Sequence, residues 1–425
     1  MRTGKRFGQG LVIGLAMCIC LTGLLANPAY SQPGYTILHR FTGGPFDGNA
    51  PYYGGPVLSG STLYGMTNDG PQGAGPPPYH YAGALYKINT DGTGYQILHD
   101  FGDTNTDGTD PRSGLALSGS TLYGFTAHGG GPYAYATGGS VFKINTGGGG
   151  YEVLHRFSAD TNNQAHPFGT PIVSGSKLYG MTNSGDLGTN GEIFALNTDG
   201  GEFQVLHEFG SVPNDGAHPY GALTLVGSRL YGMTRYGGSG GISYGGYGVI
   251  FSLNTGGGEY QVLHNFAGGP GDGSYPTGSL TLVGSKLYGM TSGGGDPGGG
   301  VLFSLNPDTN EYQVLLGFNK AGSPSAPYGS LTLSGSRLYG MTSTGGTGGS
   351  SGVIFQVNPD GTGFHILHGF FGSQGDGGSP LGDVTLSGGR LYGWTYEGGG
   401  PGVGGVFFSY QLPQSDAAMM LLLSD

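Results

Sequence analysis

Residues 223–234 read LTLVGSRLYGMT, and near-copies of this stretch occur at seven places along the chain. The tyrosine of the LYG triplet falls at Tyr64, Tyr123, Tyr179, Tyr231, Tyr288, Tyr339 and Tyr392, at intervals of 51 to 59 residues. A period of that size, with several strand-like segments in each copy, marks a repeat architecture. Within the stretch, Val226, Gly227 and Ser228 make a tight hairpin turn, because Gly tolerates the positive φ such turns demand. Next comes GVIFSLN at 248–254, repeated at 191–197, 300–306 and 352–358. A turn such as NTDG at 89–92 or 197–200 then leads into YQVLHNF at 260–266. Hairpin signals at both turns make each copy a four-stranded meander.

Four antiparallel strands, seven times over, describe an all-β, seven-bladed β-propeller. A parallel β-helix is the competitor, but its turns are usually shorter and lack paired hairpins. The ends of the chain separate the two. The fourth-strand motif appears first at 35–41, before any LYG copy, and then begins at Tyr95, Tyr151, Phe203, Tyr260, Tyr312 and Phe364. The last copy stops after its third strand at 406–412. A ring in which residues 35–41 complete the seventh blade uses every segment and leaves no open sheet edge.

The first residues carry Arg2, Lys5 and Arg6, then an apolar run over 11–25, then Ala29, Tyr30 and Ser31. This is the layout of a secretory signal peptide, and the run is short for a membrane span. The expected organisation is a signal at 1–31, a propeller over 32–412 and a short tail at 413–425; an uncleaved N-terminal anchor is the competing reading. Cys18 and Cys20 are the two cysteines and both lie in the apolar run, so the exported chain would be cysteine-free and held by packing and sheet hydrogen bonds. Loss of three basic residues and no acidic one would take the formal charge from −11 to −14. Such a chain lacks the basic surface nucleic acid requires. Although 96 residues are Gly and 10% are charged, 28 Tyr and 21 Phe recur in register with aliphatic residues, which excludes a disordered linker. No membrane span is expected after the signal, and a monomer is expected.

In the fourth strand, strict alternation places Tyr260, Val262, His264 and Phe266 on one face and Gln261, Leu263 and Asn265 on the other. Histidine recurs there as His39, His99, His155, His207, His264 and His368, with Leu316 in the remaining copy. Equivalent residues of different blades stand far apart, so they cannot converge on one ion. They read as packed positions with local hydrogen bonds. The LYG tyrosine reads as a wedge between blades, with the following Gly leaving room for close contact.

In a meander blade the tight turns gather on one face of the ring and the variable loops on the other, where function is expected. The interblade loops hold a recurrent DGxxP at 47–51, 107–111, 215–219, 272–276 and 376–380, which reads as an Asx-type turn ended by Pro. The loops after LYGMT in copies one, two and four are long and aromatic. Tyr79 and Tyr81 (with His80), Tyr133 and Tyr135 (with His128), and Tyr236, Tyr244 and Tyr247 (with Arg235) are the candidate ligand-binding residues, since Tyr offers a flat apolar ring with a polar tip. Asp103, Asn105, Asp107, Gly108 and Asp110 fit the D-x-[DN]-x-[DN]-G pattern that wraps Ca2+, although Gly114 stands where the bidentate acid belongs.

Enzymatic signatures are sparse: no His-Glu-x-x-His, and a single tryptophan, Trp394. Written out as P-x-G-x-L-x-L-x-G-S-x-L-Y-G-M-T, then G-G, then G-V-I-F-x-L-N, then Y-x-V-L-H-x-F, the chain resembles the bacterial GloVer tandem repeats, after Gloeobacter and Verrucomicrobia, over nearly all of 35–412. The resemblance implies a "choice-of-anchor" design, in which exported repeats are joined to varied C-terminal sorting tails, and it carries no activity or site residues. The thirteen residues after Leu412 show no recognisable sorting signal. The functional expectation is an exported module that binds a glycan or a cell-envelope protein on its loop-rich face. The alternative is an extracellular polysaccharide hydrolase or lyase using Asp47, Asp107, Asp215, Asp272 and Asp376, since such chemistry needs two carboxylates about 5 to 10 Å apart.

Overall fold

A computed structural model describes residues 34–413 except 72–81, 103–106, 130–137, 158–164, 185–189, 242–244, 297, 319–322, 347–350 and 373–374. The chain divides into two compact units, residues 1–30 and 31–425, and all described residues belong to the second. The expected signal at 1–31 and all but the first residue of the tail at 413–425 lie outside them. No helix long and apolar enough to cross a membrane occurs among the described residues.

Seven four-stranded antiparallel sheets form the seven blades. Blade 4, with strands Thr224–Val226, Arg229–Thr234, Val249–Asn254 and Gln261–Asn265, shows the plan. Gly227 turns the first hairpin at φ 59°. The ring closes as the repeat count requires. Tyr35–Arg40 pairs antiparallel with Val406–Gln411, Tyr35 opposite Tyr410 and Arg40 opposite Val406, as fourth strand of blade 7.

The LYGMT strand faces both neighbours at once. Leu230 packs toward blade 3 with Val249, Phe251 and Leu253, while Tyr231 and Met233 pack toward blade 5 with Leu287, Phe303 and Leu305. Gly232 sits opposite Phe251, and a Cβ there would lie 2.4 Å from Phe251 Cζ. The glycine therefore makes room for the aromatic ring of its own blade's third strand. On the innermost strand, Thr224 Oγ1 donates to Leu280 O at 2.6 Å and Thr281 to Leu331 O at 2.7 Å, and Thr332 and Thr385 reach Val384 O and Pro56 O alike. Each of these threonines pins its blade to the next.

The fourth strand does not alternate as expected. In blade 4, Phe251 pairs with Val262 and Ile250 with His264, so Leu263 is a bulge residue. Shifts at the same place occur in all seven blades. An extra residue reverses the phase of a period-two strand. Val262 and Tyr260 therefore share the face of Phe251, toward blade 3, while His264 and Phe266 share the face of Ile250, toward blade 5. One strand thus reaches both neighbours.

The two reaches meet. His207 of blade 3 stacks on Tyr260 of blade 4 with ring centroids 3.5 Å apart, and the same stack joins His39 to Tyr95, His99 to Tyr151, His264 to Tyr312 and His368 to Tyr35 at 3.7 to 3.9 Å. The aspartate of DGxxP locks each stack. His207 Nε2 lies 3.0 Å from Asp215 Oδ2, and the Tyr260 hydroxyl donates to Asp215 Oδ1, with Gly210 N and Gly216 N completing its shell at 2.8 Å. The pairs His39–Asp47, His99–Asp107, His264–Asp272 and His368–Asp376 close at 2.9, 2.8, 3.2 and 3.3 Å. DGxxP is therefore not an Asx turn. Its Asp accepts from a backbone N–H five residues earlier, as Asp47 does from Thr42, and its Gly lies against the LYGMT threonine, where a Cβ on Gly216 would come 2.4 Å from Thr234 Oγ1.

Two interfaces lack the aspartate, and both lack the hydroxyl. Asn163 and Ser323 stand at the Asp position, and the facing residues are Phe203 and Phe364. A buried phenol needs an acceptor, so ring and carboxylate come or go together. Phe203 still stacks on His155 at 3.8 Å.

Three predictions follow from these interfaces. Trp394, 1% exposed, packs with Phe41 at the junction of blades 7 and 1, so deleting residues 34–41 should red-shift its emission and lower the melting temperature sharply. Tyr260→Phe leaves Asp215 short of a donor and should cost about 1–3 kcal/mol in urea unfolding. Burial pushes His155 down to about 4. The unfolded chain takes up that proton near pH 6.5 while the folded one does not, so this residue lowers stability as pH falls from about 6.5 to about 4. His155→Leu, which copies Leu316, should reduce the fall of the urea midpoint across that window.

Candidate ligand-binding site at the channel mouth

Each interblade segment crosses the loop-rich face and then turns down into the central channel. The turn is made by the residue before the proline, which is left-handed in all seven blades: Ala50, Asp110, His166, His218, Tyr275, Ala326 and Ser379, with φ from 44° to 58°. A following Pro disfavours the right-handed helical region, and the left-handed alternative costs of order 1–3 kcal/mol at a non-Gly residue. Its repetition shows that ring geometry imposes it.

The residue after that proline stands at the mouth: Tyr52, Arg112, Phe168, Tyr220, Thr277, Tyr328 and Leu381, with Tyr53 added in blade 1 by one extra residue. Below them Gly54, Gly169, Gly221, Gly278, Gly329 and Gly382 ring the channel. A Cβ on Gly221 would lie 2.1 Å from the carbonyl oxygen of Gly278, and one on Gly382 would lie 2.0 Å from that of Gly54. The remaining cavity, about 20 Å³ and lined also by Tyr53, Tyr220 and Tyr328, has room for about one water. Neighbouring inner strands are therefore in backbone contact at this level of the channel. Here Ser279 Oγ accepts from Ala222 N and Ser330 Oγ from Ser279 N, both at 2.8 Å, and Asp383 accepts from Ser330 N. Burial raises the Asp383 carboxyl above its ordinary value, against the pull of that N–H.

The rings at the mouth form a continuous collar. Tyr52 meets Tyr53 edge-on at 4.3 Å and Tyr396 at 5.2 Å, Tyr53 meets Tyr220 at 6.2 Å, and Phe168 stacks on Tyr220 at 5.2 Å. Arg112 lies over Tyr52 and Phe168 at 5.5 and 6.0 Å. Arg235 lies over Tyr220 and Tyr236 at 5.0 and 5.5 Å. These distances suit cation–π attraction.

The two arginines differ in their partners. Arg112 Nε is 2.9 Å from Asp110 Oδ1, and His128 Nδ1 is 2.9 Å from Asp110 Oδ2. Burial works against the charged form of Asp110, but His128 and Arg112 outweigh it and hold the carboxyl below its usual value. His128 also packs against His166 at 4.5 Å, and His166 Nδ1 bonds to Ala127 O at 2.9 Å. Burial, aided by His128, pushes His166 down to about 4, so it is neutral at pH 7.

Of the tyrosines singled out in the sequence, Tyr236 lies in the collar. Tyr247 sits at the outer rim, 39% exposed, joined to Tyr236 through Tyr275 at 5.7 and 5.5 Å. Tyr79, Tyr81, Tyr133, Tyr135 and Tyr244 lie outside the described residues, as do Asp103 and Asn105 of the calcium pattern. The other two members of that pattern are engaged by protein groups: Asp107 by His99, Gly102 N, Gly108 N and Tyr151, and Asp110 by Arg112 and His128. No group of three metal-ligating side chains assembles among the described residues. The five DGxxP carboxylates are likewise engaged, one at each of five blade interfaces. Tyr52, Tyr53, Arg112, Phe168, Tyr220, Tyr328 and Tyr396 were not singled out. Their signal was the position after the DGxxP proline, which changes identity inside an otherwise fixed motif.

Two solved oligogalacturonate lyases share the fold at low identity. An oligogalacturonate lyase in complex with manganese matches with TM-score 0.54 and 12% identity, over 91% of this chain and 95% of that one. An oligogalacturonate lyase from Vibrio parahaemolyticus matches with TM-score 0.54 and 13% identity, over 90% and 94%. A nidogen/laminin complex matches with TM-score 0.42 and 15% identity, over 68% of this chain and 90% of that one. Such identities concern the fold alone. No curated protein matches the chain. The Gloeobacter/Verrucomicrobia repeat matches residues 26–245 and 239–422, and the chain belongs to that repeat family.

Proposed function

We propose that this protein is an exported, monomeric binding module that holds a glycan over the loop-rich mouth of its propeller. The observation that carries this reading is the run of rings Tyr396, Tyr52, Tyr53, Tyr220 and Phe168 at the channel mouth, with Tyr236 beside it across Arg235. Flat rings with polar tips accept the apolar face of a sugar while bonding its hydroxyls. Export, and attachment to the cell surface in the manner implied by the repeat family, rest on the residues before the propeller and on the family resemblance.

Cleavage of an extracellular polysaccharide is the second reading, and one observation keeps it in view. The DGxxP carboxylates are held in the blade interfaces, but Asp110, His128 and His166 bring titratable groups to the mouth itself. New reducing ends or unsaturated products after incubation with a bound glycan would favour catalysis.

A glycan array probed with the full chain should give binding, and Tyr220→Ala should weaken it about tenfold, the loss of one well-stacked ring. An array without a bound glycan, or binding by Tyr220→Ala equal to wild type, would contradict this reading; capture of an envelope protein at the same face would replace it.

A further inference from the structure

The residue just after LYGMT forms a second tier above the collar: Asn68, Ala127, Asn183, Arg235, Ser292, Ser343 and Tyr396. Arg235 is the single cation in that tier. Most basic residues of the propeller lie on the opposite face, where Lys143, Lys177 and Arg229 pair with Glu152, Glu202 and Glu259 at 2.9, 2.9 and 2.7 Å. At the mouth, Arg112 is matched by Asp110.

Arg235 has no such match. Among the described residues no carboxylate lies within ion-pair distance of it, and its Nε is buried without a hydrogen-bond partner. Its surroundings are rings: it lies over Tyr220 and Tyr236, and Tyr53 of blade 1 and Tyr328 of blade 6 are near enough to bear on its charge. The DGxxP acid of its own blade, Asp215, is taken up by His207 and Tyr260. A guanidinium with an unpaired Nε, held half-buried by aromatic faces, can take a planar or tetrahedral anion through its outward N–H donors.

Resting on the glycan reading above, we infer that the ligand is an anionic glycan whose carboxylate or sulfate group docks on Arg235 while the adjoining sugar ring lies against Tyr220 and Tyr53. In a chain of net charge −11, one uncompensated arginine at the mouth discriminates by charge where the rest of the surface repels. Neutral sugars leave the guanidinium unfilled, so they bind more weakly.

The test is calorimetric titration of the full chain with four hexasaccharides: a hexauronate, its methyl ester, a sulfated glucan hexamer and the unsulfated glucan hexamer. The hexauronate or the sulfated hexamer, whichever is the true source of the anion, should bind about ten- to hundredfold more tightly than its neutral counterpart. Arg235→Gln should abolish that difference, and Arg235→Lys should keep part of it. Raising the salt should weaken anion binding in wild type and not in Arg235→Gln. Unaltered unfolding of both variants in urea excludes a folding defect; if Arg235→Gln is unstable, the comparison of each hexamer with its neutral counterpart on wild type decides. Equal affinity for charged and neutral hexamers on wild type overturns the anion inference and leaves the glycan reading standing. Absence of binding by all four overturns both.

Discussion

Closure of the ring by the pairing of Tyr35–Arg40 with Val406–Gln411 is the constraint on which the structure depends. Once seven blades form a closed circle, every blade must satisfy two neighbours with one four-stranded sheet. The fourth strand meets this demand with a bulge. At Leu263 and its equivalents an extra residue reverses the strand, so a tyrosine faces back and a histidine faces forward. The interface chemistry follows from that inversion: ring on ring, with the DGxxP carboxylate beneath wherever the ring carries a hydroxyl.

The same closure shapes the channel. Seven inner strands converging on an axis leave no volume for side chains at the narrowest level, and six glycines there let backbone approach backbone. One residue higher the circle widens and side chains return. Because those side chains have no structural duty imposed by the interfaces, they are free to differ from blade to blade. A sevenfold scaffold thus carries an asymmetric mouth, aromatic at the level after the prolines and bearing the Arg235 guanidinium in the tier above.

Much of this was legible in the chain itself. The blade count, the strand order and the closing strand follow from where LYGMT and YQVLHNF fall. The bulge was hidden because Tyr260 and His264, four apart, look like same-face residues of a straight strand. DGxxP looked like a local turn because its histidine partner lies eight residues earlier and its tyrosine one blade later. The collar escaped notice for a different reason. Tyr52, Phe168 and Tyr220 are separated by whole blades and meet only because the ring brings their prolines to one circle. Loop length drew attention to Tyr236 and Tyr247; of these, Tyr236 joins the collar and Tyr247 stays at the rim.

Closure is tested most directly by moving the closing strand. Residues 34–41 can be transferred to follow residue 411 through a four-residue turn copied from 197–200, so that blade 7 becomes a continuous meander like the other six. The emission of Trp394 and the melting temperature of this permuted chain should match those of the parent, because the strand occupies the same place in the same ring. A red-shifted tryptophan with a melting temperature many degrees lower would contradict the closed ring.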